Sequence, residues 1–176
     1  MRILAFSDVR DWEGYERLVD KIKPDVVALA GDLTSDGFAG FWMRGIVSRS
    51  KQSMQMRKCT HVKRFYQFLR YAGEEARVLV VKGNHDEDFK GDYDPDRINK
   101  TSGCQELSGK STELGGLRFL GLGFVETHYV RLLNALVTEF RERTDVVLTH
   151  GERLPVISSL KPKLIIKGGF GCGKCL

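Results

Sequence analysis

The chain is short of cysteine, has no long apolar run and, over one extended stretch, carries no acid. Cys59, Cys104, Cys172 and Cys175 are the only cysteines in 176 residues, which excludes the disulfide framework of a small secreted protein. No uninterrupted apolar run approaches the roughly 18 residues that a membrane helix needs, so no membrane partner is expected. The opening Met1-Arg2-Ile3-Leu4 lacks the charged-then-apolar layout of a signal peptide. A cytoplasmic location follows by default. Neither an internal repeat nor a linker interrupts the sequence, so one domain is expected over 1–176, long enough to bury a substantial core.

The missing acids are more informative than the net charge of +5. Residues 37–73 hold no Asp or Glu, while Arg44, Arg49, Lys51, Arg57, Lys58, Lys63, Arg64 and Arg70 all fall there. Val62, Phe65, Phe68, Leu69 and Ala72 recur at helical spacing in its second half. The first half, with Gly37, Gly40 and Ser48 to Ser53, reads as irregular or only loosely helical. Such a stretch is a solvated helix face with a loop, or a basic wall suited to phosphates or nucleic acid.

What is present is a set of short β-branched runs, each ending in polar residues. Val78-Leu79-Val80-Val81 leads through Lys82-Gly83 into Asn84-His85-Asp86; Ile3-Leu4-Ala5-Phe6 leads into Ser7-Asp8; Val26 to Ala30 leads into Gly31-Asp32; Asp145 to Leu148 leads into Thr149-His150. These read as buried strands. Between the first two in chain order, Trp12, Tyr15, Leu18, Val19 and Ile22 mark a helix that Lys23-Pro24 stops. Strand, helix and strand with a short crossover predict a parallel α/β sheet. A hairpin is expected around Gly115-Gly116 within 111–123, a helix over Val130, Leu133, Leu136, Val137 and Phe140, and a last strand over 163–167. Residues 88–103 read as a polar loop; Asp92, Asp94 and Asp96 have calcium-loop spacing, but Arg97 and Gly103 stand where Gly and Glu are needed.

Ligands bind beyond the carboxyl ends of strands in open α/β sheets. Asp8, Asp32 and Asn84 would meet at such a rim, as oxygen ligands for a divalent metal. Taken singly, Asp8 and Asp32 could be helix N-caps, Asn84 a left-handed turn residue, and His85 and His150 structural histidines.

Asp8-x-Arg10, Gly31-Asp32, Gly83-Asn84-His85-Asp86 and Thr149-His150-Gly151 resemble the motifs of the calcineurin-like metallophosphoesterases. There the pattern runs Asp-x-His, Gly-Asp, Gly-Asn-His-Asp or Glu, a lone His, then Gly-His-x-His. The resemblance covers nearly the whole chain and implies an α/β fold, the four-layer α/β/β/α sandwich. It implies metal-dependent hydrolysis of phosphate mono- or diesters, with Asp8, Asp32, Asn84 and His150 as metal ligands. His85 and Asp86 would be the catalytic pair, Asp86 orienting His85 or holding the turn, and Arg10 and Asn84 would meet the substrate. The implied cofactor is one or two divalent ions, manganese first, with iron, zinc or nickel as alternatives.

The chain departs from that pattern at three imidazoles: Arg10 stands in one place, and Gly169 and Gly171 in the others. A guanidinium at position 10 would supply positive charge in place of the first metal. A weakened or single-metal site is therefore expected. The alternative is an inactive relative that binds a phosphate-bearing ligand, nucleotide or nucleic acid through the basic 44–70 stretch. Little sequence follows the last motif, so the sandwich is expected to be shortened at its C-terminus, with an open sheet edge on which a homodimer would pair. Gly168 to Lys174 imitates a P-loop but has Cys175 in place of Ser or Thr, and Cys172-x-x-Cys175 is half of a zinc site.

Overall fold

The computed structural model describes residues 1–9, 11–34, 51–86, 92–124, 144–151, 157 and 160–169, with 51–59 described by backbone alone. Arg10, residues 37–50, the helix expected over 130–140 and the tail from 170 onward lie outside the described residues. Two four-stranded sheets carry the rest. The first pairs β1 (Ile3–Phe6), β2 (Val26–Ala30), β3 (Arg77–Val81) and β4 (Cys104–Glu106) in that order, all parallel. The second runs β5 (Lys110–Leu114), β6 (Leu117–Gly123), β7 (Val146–His150) and β8 (Leu164–Gly168). There β5 and β6 form the expected antiparallel hairpin, with Leu114 opposite Leu117, and β6, β7 and β8 are parallel.

Strands buried on both faces read as continuous apolar runs, and β2 is buried at every position. Its alternate side chains serve two cores. Val26, Ala28 and Ala30 join Leu79 and Val81 against Phe119, Val146 and Leu148, packing sheet on sheet. Val27 and Leu29 join Val78 and Val80 against the helices. Those helices are α1 (Glu16–Ile22) and α2 (Lys51–Glu75). Phe65, Phe68, Leu69 and Ala72 of α2 are fully buried, each burial contributing about 1.5–3 kcal/mol for the larger side chains. The far face of the second sheet packs Leu120 and Val147 beneath Ile157 and Leu160. The layer order is thus the one expected.

Several local expectations are corrected. The helix α2 takes in Lys51 to Ser53, the end of the serine-rich stretch that reads as irregular or only loosely helical, because tertiary packing of its far half overrides weak propensity. Leu18 and Ile22 of α1 are exposed, at 41% and 38%; Val19 is the buried residue of α1, and Trp12, ahead of the helix, joins it in the core. The polar loop holds a short helix, α3 (Pro95–Lys100), capped by Asp94, which accepts from the Asp96 and Arg97 amides. Asp94 is therefore a helix cap and not a calcium ligand. The strand β4 is not expected from the sequence at all. Within the basic stretch, Arg64 is committed to Asp11 at 2.8 Å and Glu13 at 3.3 Å.

Candidate metal centre

Strands β1, β2 and β3 of the first sheet and β6, β7 and β8 of the second end at one rim. Leaving β1, Asp8 is held by its amide, which donates to the Gly31 carbonyl at 3.1 Å. Leaving β2, the turn from Gly31 to Thr34 carries Asp32. Both aspartates are left-handed, at φ 54° and 55°, a conformation few non-glycine residues adopt and in which Asp is enriched. Neither is a helix cap: α1 is preceded by Tyr15, and Leu33 and Thr34, directly after Asp32, are not helical. Asn84 is not among the left-handed residues.

The Asp32 turn is held from both sides. Asp86 accepts from the amides of Asp32 at 2.9 Å and Gly83 at 2.7 Å through one oxygen. Its other oxygen accepts from the amides of Leu33 at 2.7 Å and Thr34 at 2.8 Å and from the Thr34 hydroxyl at 3.0 Å. The Leu33 carbonyl in turn accepts from the Trp12 indole at 2.9 Å and meets His61 Nε2 at 3.0 Å. Burial pushes the Asp86 carboxyl up, against the pull of the Gly83, Thr34 and Leu33 amides. Grouped with His85 as catalytic on sequence, Asp86 is only 1% exposed and both its oxygens are spent on turn backbone. Of the two roles open to it, orienting His85 or holding the turn, these bonds describe the second.

His150, 4% exposed at the end of β7, comes from the second sheet. Its Nδ1 lies 2.8 Å from the Ala30 carbonyl. A carbonyl can only accept, so Nδ1 carries the proton. That leaves Nε2 facing Asn84 Oδ1 at 3.0 Å and Asp32 Oδ1 at 3.4 Å. Ligand atoms of Asp8, Asp32 and His150 all lie within 4.8 Å of one another. The close approach needs Gly31: a Cβ there would stand 2.6 Å from His150 Cγ and 2.8 Å from Gly83 Cα. Burial alone would raise the Asp32 carboxyl, but the hydrogen bond and charge of His150, with the His85 amide, hold it below its ordinary value. Burial would likewise lower His150; its bond to Asp32, that charge and the Ala30 carbonyl raise it instead.

Asn84 is exposed at this rim and His85 half-buried, its amide donating to Asp32 Oδ1 at 2.9 Å. The structure therefore brings together Asp8, Asp32, Asn84, His85, Asp86 and His150. Sequence reasoning missed two groups on Asp8. Gly169 donates its amide to Oδ2 at 2.9 Å, and the Ser7 hydroxyl stands between Oδ2 and the Ala30 carbonyl. Ser7 had a signal, its place before Asp8; a backbone amide has none.

The profile of the calcineurin-like phosphoesterases matches residues 1–165. The chain belongs to the calcineurin-like phosphoesterase family. One solved crystal structure superposes with a TM-score of 0.64 at 16% identity, covering 99% of this chain and 86% of its own. The crystal structure of TT1561 of Thermus thermophilus superposes with a TM-score of 0.57 at 17% identity, covering 97% of this chain and 82% of that one. These likenesses show the fold. No curated protein matches the sequence. No helix among the described residues is long and apolar enough to cross a membrane.

The family generally uses divalent metals, and the donor set fits one. With the proton on Nδ1, a lone pair on Nε2 meets two carbonyl-type oxygens, an arrangement that repels itself unless a cation or a proton lies among them. Turning the Asn84 amide would relieve one contact and leave that with Asp32. Asp32, Asn84 and His150 would hold the ion. Asp8 stands within reach of the same ion, its Oδ2 also accepting from the Gly169 amide and the Ser7 hydroxyl.

Proposed function

We propose that this calcineurin-like phosphoesterase hydrolyses phosphate mono- or diesters with one divalent ion, manganese first among the alternatives, held by Asp32, Asn84 and His150. The convergence of His150 Nε2, Asn84 Oδ1 and Asp32 Oδ1 carries this reading. When bound, such an ion supplies positive charge to phosphoryl oxygens and makes water a better nucleophile near neutral pH. Water attacks phosphorus and the ester P–O bond breaks. His85, with an imidazole suited to proton transfer near neutral pH, gives a proton to the leaving oxygen. Asn84, exposed at the rim, and Arg10 meet the phosphate oxygens. Asp86 keeps the Asp32 and Asn84 turns in register.

The reading is tested with bis(p-nitrophenyl) phosphate and p-nitrophenyl phosphate in manganese, alongside calorimetric titration of the metal. We expect nitrophenolate release and one ion per chain. Asp32→Asn keeps the left-handed turn, which Asn tolerates, and an oxygen for the His85 amide. Outer-shell changes alone cost about 10- to 100-fold in affinity or activity, so this inner-ligand change should cost at least that in both readouts. Two tightly bound ions per chain would overturn the single-ion site. Metal and phosphate binding without release from either ester would favour the second reading, a relative that binds phosphate groups without cutting them. That reading is favoured by the Gly169 amide standing on Asp8, where the family pattern has an imidazole. Nucleic acid as the ligand rests on the basic 44–70 stretch.

A further inference from the structure

Five large apolar side chains are exposed among the described residues: Met1, Leu18, Ile22, Phe124 and Leu164. Four lie away from the strand-end rim. Leu18 and Ile22 are on α1, Met1 precedes β1, and Leu164 opens β8 at the opposite end of that strand from the rim. Phe124 is different. It follows β6 at the carboxyl end, on the same rim as Asn84 and His150, and 37% of it is exposed.

The backbone fixes where it stands. The Phe124 amide donates to the Lys82 carbonyl at 2.7 Å, tying it to the lead-in of the Gly83-Asn84 turn of the first sheet. Its ring abuts Gly151, the residue after His150: a methyl group on Gly151 would lie 3.6 Å from Phe124 Cδ2 and 3.8 Å from Cε2. Thus Phe124 bridges the two strand ends that supply Asn84 and His150. A single exposed apolar side chain needs no partner by itself; what sets Phe124 apart is its place on the rim of the site, where an aromatic ring can take a planar π-face against its own.

Resting on the proposed phosphate-ester site, we infer that Phe124 is a stacking platform for a planar aromatic group carried by the substrate, so that the preferred ester is one bearing a nucleobase or similar ring. Base stacking on an aromatic side chain is worth on the order of 5- to 150-fold in affinity. Specificity would thus come from a side chain that touches the substrate's ring and not its phosphate.

The test uses two probes that differ only in the base, adenosine 5′-monophosphate and ribose 5-phosphate, titrated calorimetrically into the full chain with manganese. Wild type should bind the base-bearing probe about 5- to 150-fold tighter. Phe124→Ala should bring that ratio close to one with ribose 5-phosphate binding unchanged, and Phe124→Trp should preserve it. A wild-type ratio of one, or a ratio that survives Phe124→Ala, overturns the stacking role. Should either of those results occur while ribose 5-phosphate binds or the nitrophenyl esters are cut, only the inference on Phe124 falls. If neither probe binds and no ester is cut, the phosphate site falls with it.

Discussion

Replacing Asp86 by Asn changes one atom and should still cost the fold a large share of its stability. Each carboxylate oxygen accepts from two backbone amides, those of Asp32 and Gly83 on one and of Leu33 and Thr34 on the other. An Asn side chain must turn its NH2 toward one pair. Whichever pair it is, two buried N–H groups lose their acceptor and face another donor. A buried donor left unsatisfied costs about 1–3 kcal/mol, so the substitution should cost about 2–6 kcal/mol. Typical domains have about 5–15 kcal/mol in total. With a urea slope of ~2 kcal/mol/M, the unfolding midpoint should fall by roughly 1–3 M. Manganese affinity should fall with it, because the Asp32 turn loses its anchor. Equilibrium urea unfolding followed by circular dichroism, with calorimetry on the folded variant, reads both. A midpoint within ~0.3 M of wild type would show that Asp86 does not hold the turn, and the positioning argument would be wrong.

The Asp32–His150 pair makes the metal-free protein sensitive to pH in a defined direction. Asp32 lies below its ordinary 3.8, so its contribution is present above that value and lost as pH falls through the folded pKa. His150 lies above 6.5, so its contribution is full below 6.5 and lost as pH rises through the folded pKa. Urea midpoints in chelator should therefore decline on both sides of a plateau between these values, and Asp32→Asn should flatten both flanks. Manganese affinity should instead rise with pH above 6.5, since the metal takes the lone pair of a neutral Nε2. Cys104 should resist alkylation. Burial pushes its thiol up to about 11, it is 7% exposed, and its Sγ donates to the Leu69 carbonyl at 3.3 Å. Iodoacetamide at about pH 8, below that raised pKa, followed by peptide mass spectrometry should leave Cys104 unlabelled until urea unfolds the chain; rapid native labelling would refute its burial.

The strands and the hairpin were legible because apolar runs and a Gly-Gly turn report them directly. So was the convergence of Asp8, Asp32, Asn84 and His150, since parallel strands deliver their last residues to one edge. What stayed hidden depends on partners far away in sequence. The strand β4 contains Gln105 and Glu106; Glu106 is 4% exposed because Tyr93 and the Ser108 amide donate to it, so no apolar signal marks it. Asp94 and Pro95 spell a helix start, an N-cap followed by Pro, which the repeated acids around them disguise. Residue type points to Asn84 for a left-handed turn, whereas Asp8 and Asp32 adopt that conformation, because the surrounding bonds over-determine their backbone.

The missing imidazole at 169 has a structural consequence. Gly169 is itself left-handed, at φ 81°, and a Cβ there would lie 3.0 Å from the Gly151 amide nitrogen and 3.1 Å from His150 Nε2. A histidine could not be placed there without moving the backbone or the ring of His150. Glycine lets the chain pass close enough for its own amide to reach Asp8 Oδ2. An amide contributes a partial positive charge where a metal would contribute two full ones, and it cannot leave. Asp8 Oδ2 then keeps a fixed backbone donor beside the ligand atoms of Asp32 and His150. Restoring His at 169 alone should therefore not restore a second ion, because the conformation that suits glycine, and not only the lost side chain, defines this half of the site.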